Sequence, residues 1–519
     1  MTSLTQADTQ PTPRGAASTP NGGFSMRHIG RHSLVYGVGV LLSRAVAFIM
    51  LPIYTRVLTT SDFGALQLIE TTLEVISIIA GSRLAAGVFH YYHKQVSEAG
   101  KRAVLSTALV VLVVSYGIAS GATFLLAPQI AGWVFGVADV ASVGYIRIAA
   151  ASLFLNSFLV VPLAFLQLGE RSMLFVGLNV ARLAIQLSLN IVFVVELRIG
   201  VTGILLSTLL TNVVFATALT WLLLSAVGMR VSRSAATDLL RFGLPFVATQ
   251  AATFVATFGD RYFLRSAADT AAVGVYGLAY QFGFLLAAVG YEPFNNYWEP
   301  KRFALARRPD RDALYARAFV YFNVLLMTMA VGITLFVGDV IRVMATPPFY
   351  GAAAIAPVVV IAYVLQSWTG FHNVGIMLRE RTQYITLANW VGAITALVGY
   401  VVLIPRWYGM GAAVATVLSF GVRELLVYIW SQRLWRVQYN WGPVARIVAL
   451  AIGVGVARFF VTPASIGLAI AYHLTLLAIY LASVWLLVIP SGDRASALRL
   501  VRERVLIRRQ VGVAVTGSD

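Results

Sequence analysis

The chain has 519 residues, of which 59% are hydrophobic and only 12% are charged. Soluble domains contain roughly 45–50% apolar and about 25% charged residues, so this composition excludes a soluble enzyme and a disordered protein. There is no cysteine, which excludes disulfides and thiolate metal sites. In a chain this apolar, the formal net charge of +18 predicts contact with a membrane surface rather than with nucleic acid.

In chain order, a polar stretch comes first and apolar segments follow. Residues 1–32 are rich in Ser, Thr, Pro, Gly and Gln, which predicts a disordered cytoplasmic tail and no cleavable signal peptide. After them we predict fourteen membrane-spanning helices, each long enough to cross a bilayer. Their approximate bounds are 33–55, 64–89, 103–127, 140–166, 172–197, 199–227, 240–264, 272–298, 314–337, 352–378, 383–405, 408–430, 443–461 and 464–489.

The basic residues predict the orientation of these segments. Lysine and arginine are concentrated in alternate loops, and the loop that contains Lys301, Arg302, Arg307, Arg308 and Arg311 carries the largest group. Because basic loops stay on the cytoplasmic side, we expect both termini of this multi-pass protein to be cytoplasmic. The arginine-rich stretch over 491–519 reads as a basic amphipathic cytoplasmic tail in contact with membrane lipids.

The sequence repeats itself at an offset near 210 residues. Leu-Gly-Glu-Arg at 168–171 matches Leu-Arg-Glu-Arg at 378–381, and Phe63-Gly64 matches Val273-Gly274. Six helices separate the copies, so both copies keep the same orientation in the membrane. We therefore predict an all-α protein with two pseudo-symmetric six-helix lobes. The N-lobe would cover 33–230, the C-lobe 238–433 and the two additional helices 443–489.

Three acidic residues inside the predicted helices are candidates for ion coupling. Glu70 and Glu74 are four residues apart and share one helix face, and two carboxylates that close can hold a proton or sodium ion. The alternative is that each carboxylate pairs with an arginine as a structural contact. Asp260 precedes Arg261 at the end of another predicted helix, where a local ion pair is the competing interpretation.

Several arginines also fall deep within the apolar segments, where a charge is costly unless it faces protein or water. Because the guanidinium group fits phosphate oxygens, an excess of deep arginine indicates an anionic substrate. The candidates for binding an anionic head group are Arg44, Arg83, Arg182, Arg423 and Arg261. No nucleotide-binding or common catalytic motif is present, which argues against an ATP-driven pump but leaves a membrane-embedded transferase open. We predict a transporter with no catalytic residue, cofactor or metal site.

Several motifs, in this order and spacing, resemble those of a known family. They are Leu42-Ser43-Arg44, Leu51-Pro52, Arg56-Val57-Leu58-Thr59, Asp62-Phe63-Gly64, Phe242-Gly243-Leu244-Pro245, Asp260-Arg261-Tyr262-Phe263-Leu264, Val273-Gly274-Val275-Tyr276 and Pro347-Pro348-Phe349-Tyr350-Gly351. From about residue 30 to 490 the chain resembles the polysaccharide biosynthesis family of oligosaccharide flippases, the Wzx-type branch of the MOP exporter superfamily.

The resemblance implies an alternating-access flippase. Such proteins move oligosaccharides linked to undecaprenyl diphosphate across the inner membrane for O-antigen (lipopolysaccharide), capsule or exopolysaccharide synthesis. It also implies coupling to H⁺ or Na⁺ and a place beside the polysaccharide polymerase machinery. A diphosphate would suit a basic cavity between the lobes.

Three alternatives stay open from the sequence. A lipid II flippase of the same superfamily would also need basic residues between its lobes, and a drug or solute exporter would be expected to have an acidic cavity. A membrane polysaccharide polymerase or ligase would be expected to carry a large catalytic outer loop, and the predicted outer loops are short. The sequence leaves the sugar repeat, the coupling ion and the oligomeric state undetermined.

Overall fold

The computed structural model describes residues 50–81, 84–458, 460–461, 465–496 and 499, and these residues are helical without a β-strand. Residues 50–57 form one helical segment that precedes the numbered helices. The helices are α1 (Thr60–Ala80), α2 (Leu84–Lys94), α3 (Glu98–Leu125), α4 (Ala127–Phe135), α5 (Val140–Leu168), α6 (Ser172–Asn190), α7 (Gly200–Val227), α8 (Arg233–Phe258), α9 (Asp260–Ala267), α10 (Thr270–Leu286), α11 (Glu292–Leu305), α12 (Arg311–Met344), α13 (Ala352–His372), α14 (Val374–Leu378), α15 (Gln383–Leu434), α16 (Trp441–Ala457) and α17 (Ile466–Leu487).

Ten helices in the described part of the chain are long and apolar enough to cross a membrane. They are Thr60–Ala80, Glu98–Leu125, Val140–Leu168, Met173–Glu196, Gly200–Val227, Thr270–Leu305, Arg311–Met344, Pro347–Leu378, Gln383–Leu434 and Ile466–Leu487. Their number agrees with a multi-pass membrane protein. The count of fourteen crossings stays a prediction, because most of its first segment lies outside the described residues.

The longest of these helices, α15, is a hairpin of two crossings. A straight helix of its 52 residues would measure about 80 Å, more than twice the hydrocarbon thickness of a bilayer. At Tyr408 the backbone leaves the helical region, with φ of 45° and ψ of −123°. The Ser419 hydroxyl donates to the Gly392 carbonyl at 2.8 Å, so the two halves run antiparallel in contact. The break coincides with the predicted boundary between 383–405 and 408–430.

Two of the predicted segments are interrupted at a glycine. The segment predicted over 64–89 begins earlier, because Thr59 and Asp62 cap each other at the start of α1. It is then broken at Gly81, whose left-handed φ of 96° ends α1. The segment predicted over 240–264 is divided at Gly259 between α8 and α9. Sequence reasoning missed these breaks because hydropathy continues across them.

The predicted repeat has a structural counterpart in two turns. Glu170 and Glu380 both adopt the left-handed conformation, with φ of 53° and 54°. In the first turn the Arg171 amide donates to the Leu166 carbonyl at 3.0 Å, and in the second the Arg381 amide donates to the Ile376 carbonyl at 3.0 Å. Residues 210 positions apart therefore fold into the same turn. The wider layout in two lobes, with the proposed domain bounds, stays a prediction.

Helices α1 and α10 cross at a second pair of equivalent positions. A Cβ atom at Gly64 would collide with the Thr270 carbonyl oxygen, and one at Gly274 would collide with the Thr60 carbonyl oxygen. The contact is thus reciprocal, as expected at a pseudo-twofold axis, and the two backbones approach this closely only because both positions are glycine.

The two predicted tails lie almost entirely outside the described residues. The cytoplasmic N-terminal tail over 1–32 is not described. Of the basic C-terminal tail predicted over 491–519, the structure describes residues 491–496 and 499. Asp493 lies in this part, and its carboxylate accepts a hydrogen bond from Arg317 on α12 at 2.6 Å.

Candidate functional site

A cavity of about 320 Å³ lies where α10 meets helices from the first half of the chain. Its walls come from residues 50–57, α1, α6, α7 and α10. The lining residues are Met50, Leu51, Tyr54, Phe63, Leu66, Gln67, Glu70, Leu183, Gln186, Leu187, Asn190, Ile204, Thr208, Gln281, Phe284, Leu285 and Ala288. We call this space the central cavity.

The polar lining of the central cavity consists mainly of amides and hydroxyls. Gln186 on α6 donates to the Thr208 hydroxyl on α7 at 3.1 Å. Asn190 donates from Nδ2 to the Tyr54 hydroxyl at 2.8 Å, while its Oδ1 atom is buried without a partner. Amides and hydroxyls both donate and accept, so the lining can bind neutral groups rich in hydroxyls.

Glu70 is the charged residue among the described residues that line the central cavity. Its carboxylate is exposed and accepts a hydrogen bond of 3.4 Å from Gln67 Nε2. Glu74 lies one turn further along α1 and is also exposed, but it does not line the cavity. Of the two carboxylates, Glu70 therefore lines the central cavity, and the role of the pair in ion coupling stays a prediction.

Arg182 lies immediately beyond the central cavity. It is half-buried on α6, one turn before Gln186, and donates to Asn212 Oδ1 on α7 at 3.0 Å. Asn212 is held in turn by the Ser152 carbonyl on α5, to which its Nδ2 donates at 3.3 Å. The hydrogen bonds Arg182–Asn212 and Gln186–Thr208 join the same two antiparallel helices, α6 and α7, one helical turn apart. The Arg182 guanidinium is therefore one turn away from the cavity lining.

Asp260 and Arg261 form a buried ion pair that does not line the central cavity, although the Arg261 guanidinium acts electrostatically on Glu70. Their side chains are 0% and 1% exposed, and Arg261 Nη1 lies 3.0 Å from Asp260 Oδ1. The Tyr276 hydroxyl donates to the other carboxylate oxygen of Asp260. The Arg261 guanidinium lies over the Tyr280 ring at 4.6 Å. Arg261 thus has the local ionic partner that the competing interpretation expected, and its contact with an anionic head group stays a prediction.

Arg423 also lies away from the central cavity. Its side chain is 7% exposed, and its guanidinium is 4.7 Å from the centre of the Phe420 ring. The next residue, Glu424, is buried to the same degree. Arg44 and Arg83, the remaining predicted contacts for an anion, lie outside the described residues.

Sequence reasoning missed the uncharged residues of the central cavity because it searched for buried charge. A usable signal was present in the helical spacing. Gln186 and Asn190 recur four residues apart on α6, and Gln67 and Glu70 recur three apart on α1, in segments that are otherwise apolar. A polar row of this kind marks the face of a membrane helix that turns away from lipid.

The fold resembles that of solved membrane transporters. An inward-facing multidrug resistance MATE family transporter of the MOP superfamily is 17% identical, over 76% of this chain and 97% of its own, with a TM-score of 0.60. The lipid II flippase MurJ, in an inward closed conformation, is 11% identical over 88% of this chain and 98% of its own, with a TM-score of 0.67. The chain is therefore a multi-pass membrane protein with the fold of these transporters.

The sequence identifies the family. The family model described as polysaccharide biosynthesis protein matches residues 29–290, which is half of the chain. The chain belongs to this family, as its motifs predicted. No curated protein sequence matches the chain at a significant level.

Proposed function

We propose that the protein is a flippase for oligosaccharides linked to undecaprenyl diphosphate. The family relates the chain to polysaccharide biosynthesis, and the fold is that of transporters. The observation that carries the proposal is the lining of the central cavity, where the side chains of Tyr54, Gln67, Gln186, Asn190 and Thr208 offer uncharged donors and acceptors. Sugars present neutral hydroxyls in all directions, and this lining suits them.

We propose that the diphosphate binds to Arg182, one helical turn beyond the cavity lining. In the predicted orientation α6 leaves the cytoplasmic side, so Arg182 lies at the cytoplasmic end of the central cavity. A diphosphate from the cytoplasmic leaflet would meet Arg182 before the sugars reach Gln186. Arg44 and Arg83 are proposed as further contacts for the anion. The lipid tail stays in the bilayer between the lobes while alternating access exposes the head group to the opposite leaflet.

Ion coupling is proposed at Glu70. Its exposed carboxylate lies in the central cavity, where an H⁺ or Na⁺ and the substrate could bind in competition or together. We place the protein in the bacterial inner membrane with both termini cytoplasmic, next to the polysaccharide polymerase machinery that would use the translocated repeat units.

The charge of the described lining favours a second candidate. Since Glu70 brings a negative charge and no arginine lines the described part of the central cavity, an exporter of cationic drugs or solutes is the alternative. The likeness of fold to MurJ keeps a lipid II flippase as a related candidate. A polymerase or ligase has no specific observation in its favour.

Gene deletion followed by lipid analysis tests the proposal. We expect loss of surface polymer, with lipid-linked repeat units retained in the cell, measured by mass spectrometry of extracted lipids. A plasmid copy of the wild-type gene should restore the polymer. Normal polymer without accumulation of lipid-linked sugar, together with increased drug sensitivity, would contradict the flippase and support the cation exporter.

A further inference from the structure

A buried histidine and a buried carboxylate are paired in the second half of the chain. His372 ends α13 and is 1% exposed, and Glu424 lies in the second half of α15. His372 Nδ1 lies 2.5 Å from Glu424 Oε1. The two side chains are therefore joined by a hydrogen bond between α13 and α15.

The pair leaves three polar atoms buried and unpartnered at one place. They are His372 Nε2, Glu424 Oε2 and the Nε atom of the adjacent Arg423. Buried polar atoms nearly always have partners, because an unpaired one costs about 1–3 kcal/mol. His372 and Glu424 therefore keep a free acceptor or donor position each, in addition to the bond that joins them.

Aromatic rings enclose the pair and restrict its access to water. The His372 ring lies 4.8 Å from that of Phe319, 4.9 Å from that of Tyr439 and 5.1 Å from that of Tyr428. Other titratable or charged groups lie around the site. Arg423 and Tyr428 belong to α15, Tyr439 lies just before α16, and Tyr291 and Tyr363 lie near Arg423. On α11, Arg302 is paired with Glu299 and donates a hydrogen bond to the side chain of Asn373, the residue after His372.

A second histidine–carboxylate pair in the same half provides an internal comparison. His473 Nδ1 lies 2.6 Å from Asp339 Oδ2 and joins α17 to α12. Both residues are buried, yet their remaining ring nitrogen and carboxylate oxygen are not among the buried unpartnered atoms. This pair has the features of a structural contact between helices. It differs from the first pair because it leaves no buried polar atom unpartnered among the described residues.

We propose that His372 and Glu424, with Arg423 beside them, form a proton-binding site. In the buried state Nδ1–H of neutral His372 donates to the Glu424 carboxylate, and the incoming proton binds Nε2 of His372. The carboxylate is then paired with an imidazolium, and the Arg423 guanidinium is a further cation that acts on it electrostatically. The net charge of the three groups rises from zero to plus one. A net charge is costly among aromatic rings, so proton uptake favours a conformation in which the site opens to water.

Proton binding can be measured without a transported substrate. The full-length protein is labelled with ¹⁵N-histidine, placed in lipid nanodiscs and titrated over roughly pH 5 to 9. The His372 signals are assigned by their loss in His372→Gln. We expect both ring nitrogens of His372 to report one protonation step within this range. A His372 signal that stays constant over the whole range would overturn the proposal.

Charge variants test the direction in which the protonation of His372 changes, which a purely structural role would not determine. Removing the negative charge in Glu424→Gln should make His372 about tenfold less protonated at a given pH, and removing the positive charge in Arg423→Gln should make it more protonated. The matched control Asp339→Asn, in the second pair, should leave the His372 titration unchanged. Shifts in the same direction for Glu424→Gln and Arg423→Gln would contradict the charge balance.

The role of this site in transport rests on the proposed flippase function. In the deletion strain, His372→Gln at normal membrane abundance should restore at most a tenth of the surface polymer. If His372 titrates as expected but polymer never depended on the gene, the proton site stands and the flippase assignment fails. If polymer depends on the gene and His372→Gln exports normally, the site is excluded from the coupling mechanism.

Discussion

At the scale of single residues, burial and pairing distinguish charges that the sequence grouped together. Arg261 is neutralised by Asp260 in the interior, whereas Arg182 is half-buried and bonded only to a neutral amide, Asn212. A cation without an ionic partner beside a polar cavity keeps its attraction for an anion. Among the described residues that were predicted to bind an anion, Arg182 is thus the one that the structure places at the central cavity.

Replacing Arg182 tests the anion contact. We expect Arg182→Ala to lower polymer export about tenfold or more, because one hydrogen-bonded contact to a charged group contributes about 1.5–3 kcal/mol. Arg182→Lys, which keeps the charge but not the planar fork, should retain part of the activity. Surface polymer is compared at equal protein abundance in the membrane. Full export by Arg182→Ala would exclude this contact.

The two carboxylates on α1 should differ in function. Glu70 lies in the central cavity and Glu74 does not, so Glu70→Gln should flatten the pH dependence of transport while Glu74→Gln leaves it close to wild type. Transport by reconstituted protein is measured over a series of pH values. If Glu74→Gln flattens the profile and Glu70→Gln leaves it unchanged, the assignment of the coupling residue is wrong.

At the scale of helices, two pairs of equivalent positions determine how the halves of the chain meet. Gly64 and Gly274 allow α1 and α10 to cross in close contact, and Glu170 and Glu380 end two helices in the same left-handed turn. The Leu-x-Glu-Arg repeat at 168–171 and 378–381 predicted that these two places are equivalent, and the structure adds that both form this turn. The close crossing could not be foretold, because a lone glycine in an apolar segment does not reveal which helix packs on it.

The glycine crossing should be intolerant of larger side chains. Gly64→Leu would place a side chain against the α10 backbone, and overpacking of this kind costs about 1–3 kcal/mol or more. We expect a lower melting temperature, or little folded protein, by fluorescence-detected size-exclusion chromatography. Gly121→Leu on α3 is the matched control, since no atom lies within 4 Å of that position. Equal stability of the two variants would refute the close crossing.

The two left-handed turns should respond alike to glycine. A left-handed residue other than glycine carries a backbone strain of about 1–2 kcal/mol, and both glutamates are exposed. Glu170→Gly and Glu380→Gly should each preserve or raise the melting temperature, while Glu170→Val and Glu380→Val should lower it. Opposite responses at the two sites would argue against a structural repeat.

At the scale of the whole molecule, the sequence predicted the class and the helices better than it predicted the site. Composition indicated a polytopic membrane protein, and the motif order identified the family. The boundary near Tyr408 was also predicted, and so was the equivalence of 168–171 and 378–381. The breaks at Gly81 and Gly259 were not, because backbone geometry at a glycine leaves hydropathy unchanged.

The site was harder to predict because a charge in a helix does not disclose its neighbours. The sequence predicted a basic cavity, and the described lining is instead mostly uncharged with one carboxylate, Glu70. Arg261 pairs with the residue before it, and Arg423 lies beside Glu424. His372 had no visible partner in the sequence, because Glu424 lies 52 positions away and meets it only after α13 and α15 pack.

Direct translocation of a lipid-linked oligosaccharide tests the central claim. The substrate is extracted from the deletion strain and built into both leaflets of liposomes with or without purified protein. A membrane-impermeant glycosidase then digests the sugars that reach the outer leaflet. With wild-type protein we predict nearly complete digestion, whereas protein-free liposomes and the Arg182→Ala variant should leave the inner-leaflet share protected. If the sugars in the inner leaflet stay protected although the wild-type protein is correctly folded, the flippase function is contradicted.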